Sequence, residues 1–148
     1  MDFISGIGHN RVFQVAFVSW FIAQLLKVIL TLFTERKLIL YRMVGSGGMP
    51  SSHSSTVMGL TTAIGLMNGF DSLIFGMSLI FSLVVMYDAS GVRRSVGKQA
   101  IILNTILEDL YEHKPIGNVR LKELVGHTPV EVLAGAALGI LIANLMIK

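Results

Sequence analysis

Between Val12 and Phe33 the chain runs for 22 residues with a single charge, Lys27, and with Gln14 and Gln24 as its other strongly polar side chains. Coiled as an α-helix, such a stretch is about 33 Å long and matches the ~30 Å hydrocarbon core of a bilayer. In lipid every backbone N–H and C=O must be paired inside the structure, which restricts a chain of this kind to helices or a closed barrel. Three further apolar stretches, Ser54–Phe70, Asp71–Tyr87 and Val130–Ile147, also read as helices by length and content. Each is shorter than the ~20 residues a span usually needs, so at least one is expected to be sheathed by protein. Asn68-Gly69 marks a tight connection, with Asp71 expected as the following N-cap. Charged residues make up only 14% of the 148, against about 25% in soluble domains, too few to clothe a water-facing surface. The expected fold is all-α: a single membrane domain over residues 1–148, with about four apolar helices. A soluble all-helical core is the alternative.

Charge placement orients the chain. The first loop carries Arg36, Lys37 and Arg42, the second has no Lys or Arg, and the third carries Arg93, Arg94, Lys98, Lys114, Arg120 and Lys122. The positive-inside tendency puts the first and third loops in the cytoplasm and both termini across the membrane. The start of the chain lacks the basic opening and cleavage pattern of a signal peptide, so the first span is expected to remain in the mature protein. The third loop also holds an expected amphipathic helix lying along the interface: Val92, Val96, Ala100, Leu103, Leu107 and Leu110 recur at spacings of three or four, with Arg93, Arg94 and Lys98 off that stripe. The net charge of +3 is small and scattered, which argues against nucleic acid as a partner and suits anionic lipid headgroups.

Two short clusters carry chemistry, and both fall on the side of the basic loops. The first is Gly45-Ser46-Gly47-Gly48-Met49-Pro50-Ser51-Ser52-His53-Ser54-Ser55. Glycines let main-chain N–H groups approach an anion, Pro50 and the serines suit the first turn of a helix, and a helix N-terminus attracts negative charge. His53 then stands where it can pass a proton to an oxygen held there. The structural alternative is a Gly-rich turn with a serine cap and an incidental histidine. Lys27, six residues before Phe33, joins this face if its side chain snorkels.

The second cluster is Gly126-His127-Thr128-Pro129-Val130-Glu131. Thr128 as N-cap, Pro129 at the first helical position and Glu131 at the third form a capping box. His127 falls outside that structural account. The positive end of the helix favours its neutral imidazole, whose lone pair can attack phosphorus, and Glu131, four residues on, can fix the tautomer. Capping and orienting then compete for one carboxylate. Asp88, after an apolar run, is read as a partner of Arg93 or Arg94, with catalytic support as the alternative. A metal site from His53, His127, Glu131 and Asp88 has suitable ligand types, but the spacing is not compact and the basic surroundings favour an anion. No metal and no cofactor are expected.

Pro50-Ser51-Ser52-His53 resembles the Pro-Ser-Gly-His motif of the type 2 phosphatidic acid phosphatase and vanadium haloperoxidase superfamily, and His127 with Glu131 resembles its final His-x-x-x-Asp. The strings GSGGMPSSH, VMYDASGVRR and ELVGHTPVEV resemble those of a divergent branch of small membrane proteins described as acid phosphatase-related. The resemblance implies that His127 is the nucleophile forming a phosphohistidine, Glu131 its orienter and His53 the general acid, with the Ser51 and Ser52 backbone cradling phosphate. The chain departs from the pattern where Ser52 replaces glycine and Glu131 replaces aspartate. It also lacks a Ser-Arg pair six residues before His127 and the Lys-x6-Arg-Pro signature, since Thr34 stands seven positions after Lys27. Lys27, Arg36, Arg93 and Arg94 are therefore candidates for phosphate contacts on chemical grounds alone. The implied function is a metal-independent phosphatase or diphosphatase acting on a lipid phosphate or other phosphorylated amphiphile at the cytoplasmic face. The alternative is a noncatalytic binding or assembly protein that keeps the fold, and a homo-oligomer is compatible with either.

Overall fold

The computed structural model describes residues 3–36, 48–111 and 126–148, with the side chains of residues 3, 4, 35, 92–94 and 108–111 outside that description. The described residues form six helices and no strand: α1 (Phe3–His9), α2 (Arg11–Glu35), α3 (Ser52–Asn68), α4 (Leu73–Ser90), α5 (Val92–Tyr111) and α6 (Pro129–Met146). Three helical stretches are long and apolar enough to cross a membrane: Arg11–Thr34, Leu73–Leu107 and Pro129–Met146. The second would measure about 52 Å if straight, well beyond a ~30 Å core. Gly91, with backbone angles of −101° and −80°, divides it into α4 and α5.

The 17 residues of α3 are the segment sheathed by protein. This helix packs against α2, α4 and α6, and its Ser52, Ser54, Ser55, Thr61 and Thr62 are all buried. Hydroxyls clamp it to its neighbours: Ser55 Oγ donates to the Ser19 carbonyl of α2 at 3.0 Å, and Ser82 Oγ of α4 donates to the Val57 carbonyl at 3.0 Å. Thr61 Oγ1 donates to the Ser78 carbonyl at 3.1 Å and lies 2.7 Å from Ser82 Oγ. Interhelical side-chain bonds of this kind contribute about 0.6 kcal/mol each in membranes.

The bundle is inside-out relative to a soluble one. Along α6 the buried stripe is Val132, Gly135, Ala136, Gly139, Ile142 and Ala143, whereas Val130, Leu133, Leu141 and Leu145 face outward. On α4 only Ser78, Ser82 and Ala89 are buried, and Leu73, Met77 and Val84 are exposed. Lipid tails are as apolar as leucine, so burying large apolar side chains gains little and small residues win the interface by letting backbones approach.

Among the described side chains of α5, Gly97, Ala100 and Asn104 are buried, while Val96 and Leu103 of the apolar stripe are exposed, open to lipid. One expectation is corrected. Asp71 is not the cap of α4: Ser72 is, its hydroxyl accepting from Phe75 N–H at 3.2 Å. The shorter serine side chain sits one residue closer to the first turn, after Gly69 has reversed the chain at φ 92°.

The ends of the helices fix the topology. Val15 of α2, Ala63 of α3 and Ala143 of α6 cluster at one end of the bundle, with Leu66 and Met146 beside them. At the other end Lys27 of α2 meets Ser52 at the start of α3, and Ala89 of α4 meets His127 just before α6. Helix α3 is thus antiparallel to α2, and the ends of the first and third loops share one face.

Close approach makes one glycine test the fold. A Cβ at Gly139 would collide with the Ser55 carbonyl oxygen and lie 2.7 Å from the Gly59 nitrogen, backbone that cannot swing aside. Gly139→Ala should lower the stability of the detergent-solubilised protein by about 1–3 kcal/mol. Gly76→Ala, where nothing lies within 4 Å, should be neutral or stabilise by about 0.5–1 kcal/mol. Comparative thermal melts check both.

Candidate functional site: paired histidines between two helix starts

Two helix N-termini lie side by side at the basic-loop end, since α3 and α6 run parallel. In α3 the cap is Ser51, whose hydroxyl accepts from Ser54 N–H at 3.4 Å. Pro50 stands one residue ahead of that cap, not in the first turn, after a cis Met49–Pro50 peptide. In α6 Thr128 Oγ1 accepts from Glu131 N–H at 3.3 Å and Glu131 Oε2 accepts from Thr128 N–H at 3.3 Å, completing the capping box with Pro129 in the first turn. The two starts are locked by a main-chain bond, Ser51 N–H to the Glu131 carbonyl at 3.0 Å. A Cβ at Gly135 would strike the Ser51 carbonyl oxygen, so the contact needs glycine nearly two turns into α6.

His127 is fixed from three sides. Gly126 precedes it at φ 108°, a left-handed turn that a side chain disfavours. Its N–H donates to the Ala89 carbonyl at 2.9 Å, and its Nδ1 lies 2.9 Å from Glu131 Oε2. With a carboxylate accepting there, Nδ1 carries a proton, which in the neutral ring leaves the lone pair on Nε2. The competition for Glu131 is resolved by sharing, because the same oxygen caps Thr128 and orients His127. The His127 side chain is 1% exposed. His53, in the first turn of α3, places its ring centroid 5.8 Å away at an interplanar angle of 66°.

Lys27 reaches this place from the side. Its ammonium is buried and donates to Ser52 Oγ at 3.1 Å, so it turns into the bundle and does not snorkel out. The structure therefore gathers Lys27, Ser51, Ser52, His53, His127 and Glu131. Within that group the Ser51 N–H is already engaged by the Glu131 carbonyl. Arg36 is exposed at the end of α2, about 13 Å along the axis from Lys27, and does not join them. Asp88 is half-buried and adjoins Ala89, the residue that holds His127. Arg93 and Arg94 start α5, and their side chains fall outside the described residues. Among the described residues no group of three or more His, Cys, Asp or Glu side chains is placed to hold a metal ion.

Two site features were not legible as motifs. The Ala89 carbonyl acts through its backbone, which leaves no mark in residue type. Gln24 is buried one turn from Lys27, and only its cost within an apolar span signals it.

Long apolar helices that bring two histidines and a buried lysine together where two neighbouring helices start are those of an integral membrane protein. The chain belongs to the divergent PAP2 family, whose profile matches residues 8–142. It is 40% identical to the uncharacterized membrane protein YuiD of Bacillus subtilis, over 81% of this chain and 83% of that one. No solved structure matches.

The shared carboxylate generates a prediction. Glu131→Gln keeps a side-chain oxygen for both the Thr128 N–H and the His127 ring, so folding and the Nδ1-protonated tautomer should persist. Glu131→Ala should cost about 1 kcal/mol of stability and release the tautomer. Melting and nitrogen NMR of the imidazoles distinguish the two variants.

Proposed function

We propose that this protein is a lipid phosphate phosphatase or diphosphatase working at the cytoplasmic face through a phosphohistidine. The observation that carries the reading is the pairing of an oriented histidine, His127 on Glu131 at 2.9 Å, with a second histidine ring 5.8 Å away. Family membership supports it.

In this mechanism a phosphate monoester binds with its oxygens toward Lys27, the Ser52 hydroxyl and the N-terminal turn of α3, where charge and helix dipole both favour an anion. His127 Nε2 attacks phosphorus as the bond to the leaving oxygen breaks, and His53 gives that oxygen a proton. Glu131 stabilises the cationic ring that results. Water, deprotonated by His53, then attacks the phosphohistidine and releases inorganic phosphate, returning both histidines to their starting states. A diphosphate follows the same course, with a phosphate as leaving group.

His127→Ala should reduce turnover about a thousandfold or more and remove an acid-labile phosphoryl adduct, while phosphate-dependent thermal protection persists. Unchanged phosphate release by that variant would refute the assignment. His53→Ala should lower hydrolysis of alkyl phosphates by about 10²–10⁴-fold and that of an activated aryl phosphate far less, because a good leaving group needs little protonation. Equal losses on both would make His53 a binding or structural residue.

The second reading, a noncatalytic binding or assembly protein, draws on one observation: Arg36, a candidate phosphate ligand, stands exposed and away from Lys27. Vanadate protection without turnover of any lipid phosphate would favour it.

A further inference from the structure

Gln24 is 4% exposed, and its carbonyl oxygen Oε1 is buried with no hydrogen-bond partner among the described residues. A buried carbonyl left unpaired costs about 1–3 kcal/mol, and inside a membrane helix no lipid can relieve it. The orphan is placed beside the phosphate site. On α2, Gln24 lies three residues before Lys27, so their Cβ atoms are neighbours about 5–6 Å apart. Helical side chains lean toward the N-terminus, which carries the Lys27 stem over the turn that holds Gln24. Along the antiparallel pair of α2 and α3, Gln24 falls between the contacts of Ser19 with Ser55 and of Lys27 with Ser52. It is therefore level with the first turn of α3, which carries His53.

A carbonyl oxygen needs a donor, and a fully ionised phosphate has none to give. A hydroxyl on another part of the ligand is such a donor. We propose that Gln24 is a substrate-contacting residue whose carbonyl accepts a hydroxyl of the bound phosphorylated alcohol, so that the site selects amphiphiles carrying a free hydroxyl a few bonds from the phosphate ester. This assignment rests on the phosphate site proposed above. A phosphorylated long-chain alcohol without a hydroxyl leaves Gln24 unpaired and forfeits that part of the binding.

The full-length protein in detergent provides the test, with thermal protection reporting affinity. The ligands are a monoacylglycerol phosphate with its free secondary hydroxyl, the matched deoxy compound and inorganic phosphate. Glycerol phosphate without an acyl chain separates headgroup recognition from the chain's contribution. The wild type should bind the hydroxyl ligand about tenfold to a hundredfold more tightly than the deoxy ligand. In Gln24→Leu that ratio should fall to near one, with inorganic phosphate bound as before. The ligand-free melting temperature should hold or rise, because an orphaned carbonyl is gone. Gln24→Met repeats the measurement if the leucine variant packs poorly.

Equal binding of the hydroxyl and deoxy ligands by the wild type overturns the proposal while leaving the phosphate site intact. An equal loss of affinity for inorganic phosphate in Gln24→Leu also overturns it, because Gln24 would then hold the phosphoryl group. A ratio preserved alongside lowered ligand-free stability would make Gln24 structural. Absence of protection by every ligand removes the phosphate site itself and the Gln24 assignment with it. Binding without hydrolysis, by contrast, counts against the phosphatase reading and leaves the hydroxyl preference to stand on its own ratio.

Discussion

A polar group in hydrocarbon has no water to turn to, and α3 carries six hydroxyl side chains, at Ser52, Ser54, Ser55, Thr56, Thr61 and Thr62, in 17 residues. Such a helix cannot face lipid at reasonable cost, so the other helices must enclose it. Enclosure sets the rest of the structure. Neighbours that approach closely enough to accept those hydroxyls need small residues at the contact: Gly135 and Gly139 on α6 admit the Ser51 and Ser55 carbonyls, and Gly59 admits Ser19. The large apolar residues of α2, α4 and α6 are left to the outer surface, where lipid takes them.

Enclosing α3 also brings its first turn, with Ser52 and His53, against the start of α6. The site is the end of the packing arrangement that holds the bundle together. Glu131 shows how little separates the two roles. Its carbonyl ties α6 to Ser51, its N–H and carboxylate close the cap of its own helix, and the same carboxylate oxygen sets the ring of His127. A substitution there acts on folding and on the orientation of the His127 ring together, and only variants that retain an oxygen separate the effects.

Much of this was legible in the residues because it is local. The capping box at Thr128 and Glu131 depends on four consecutive positions, and the spans depend on runs of apolar residues, so helix boundaries fall within a few residues of expectation: Arg11–Glu35 against Val12–Phe33, for example. What escaped depends on which face meets which neighbour. The stripe of α5 marks an apolar face, but it does not say that Gly97, Ala100 and Asn104 are the described residues of that helix that meet protein, because lipid competes on equal terms for apolar side chains. The reach of Lys27 into the first turn of α3, in place of snorkelling, likewise depends on a helix 25 residues away in sequence. The tie from His127 to Ala89 is main chain on both sides and has no signature in residue type.

The depth of Lys27 bears on the substrate class. Six residues before Phe33, it lies about 9 Å inside that end of the apolar run, at a depth where acyl chains are the surroundings. A phosphate drawn to Lys27 and Ser52 would leave the substance attached to it close to the apolar outer surfaces of α2, α4 and α6. A soluble phosphorylated metabolite would have to leave water to reach that depth and would place a polar body there, uncompensated. An amphiphile brings its chain into surroundings like those it already occupies and exchanges only the hydration of its phosphate for the ammonium, the hydroxyl and the helix starts. The proposed preference for a lipid phosphate thus rests on where the bundle puts its one buried cation among the described residues, independently of the motif resemblance.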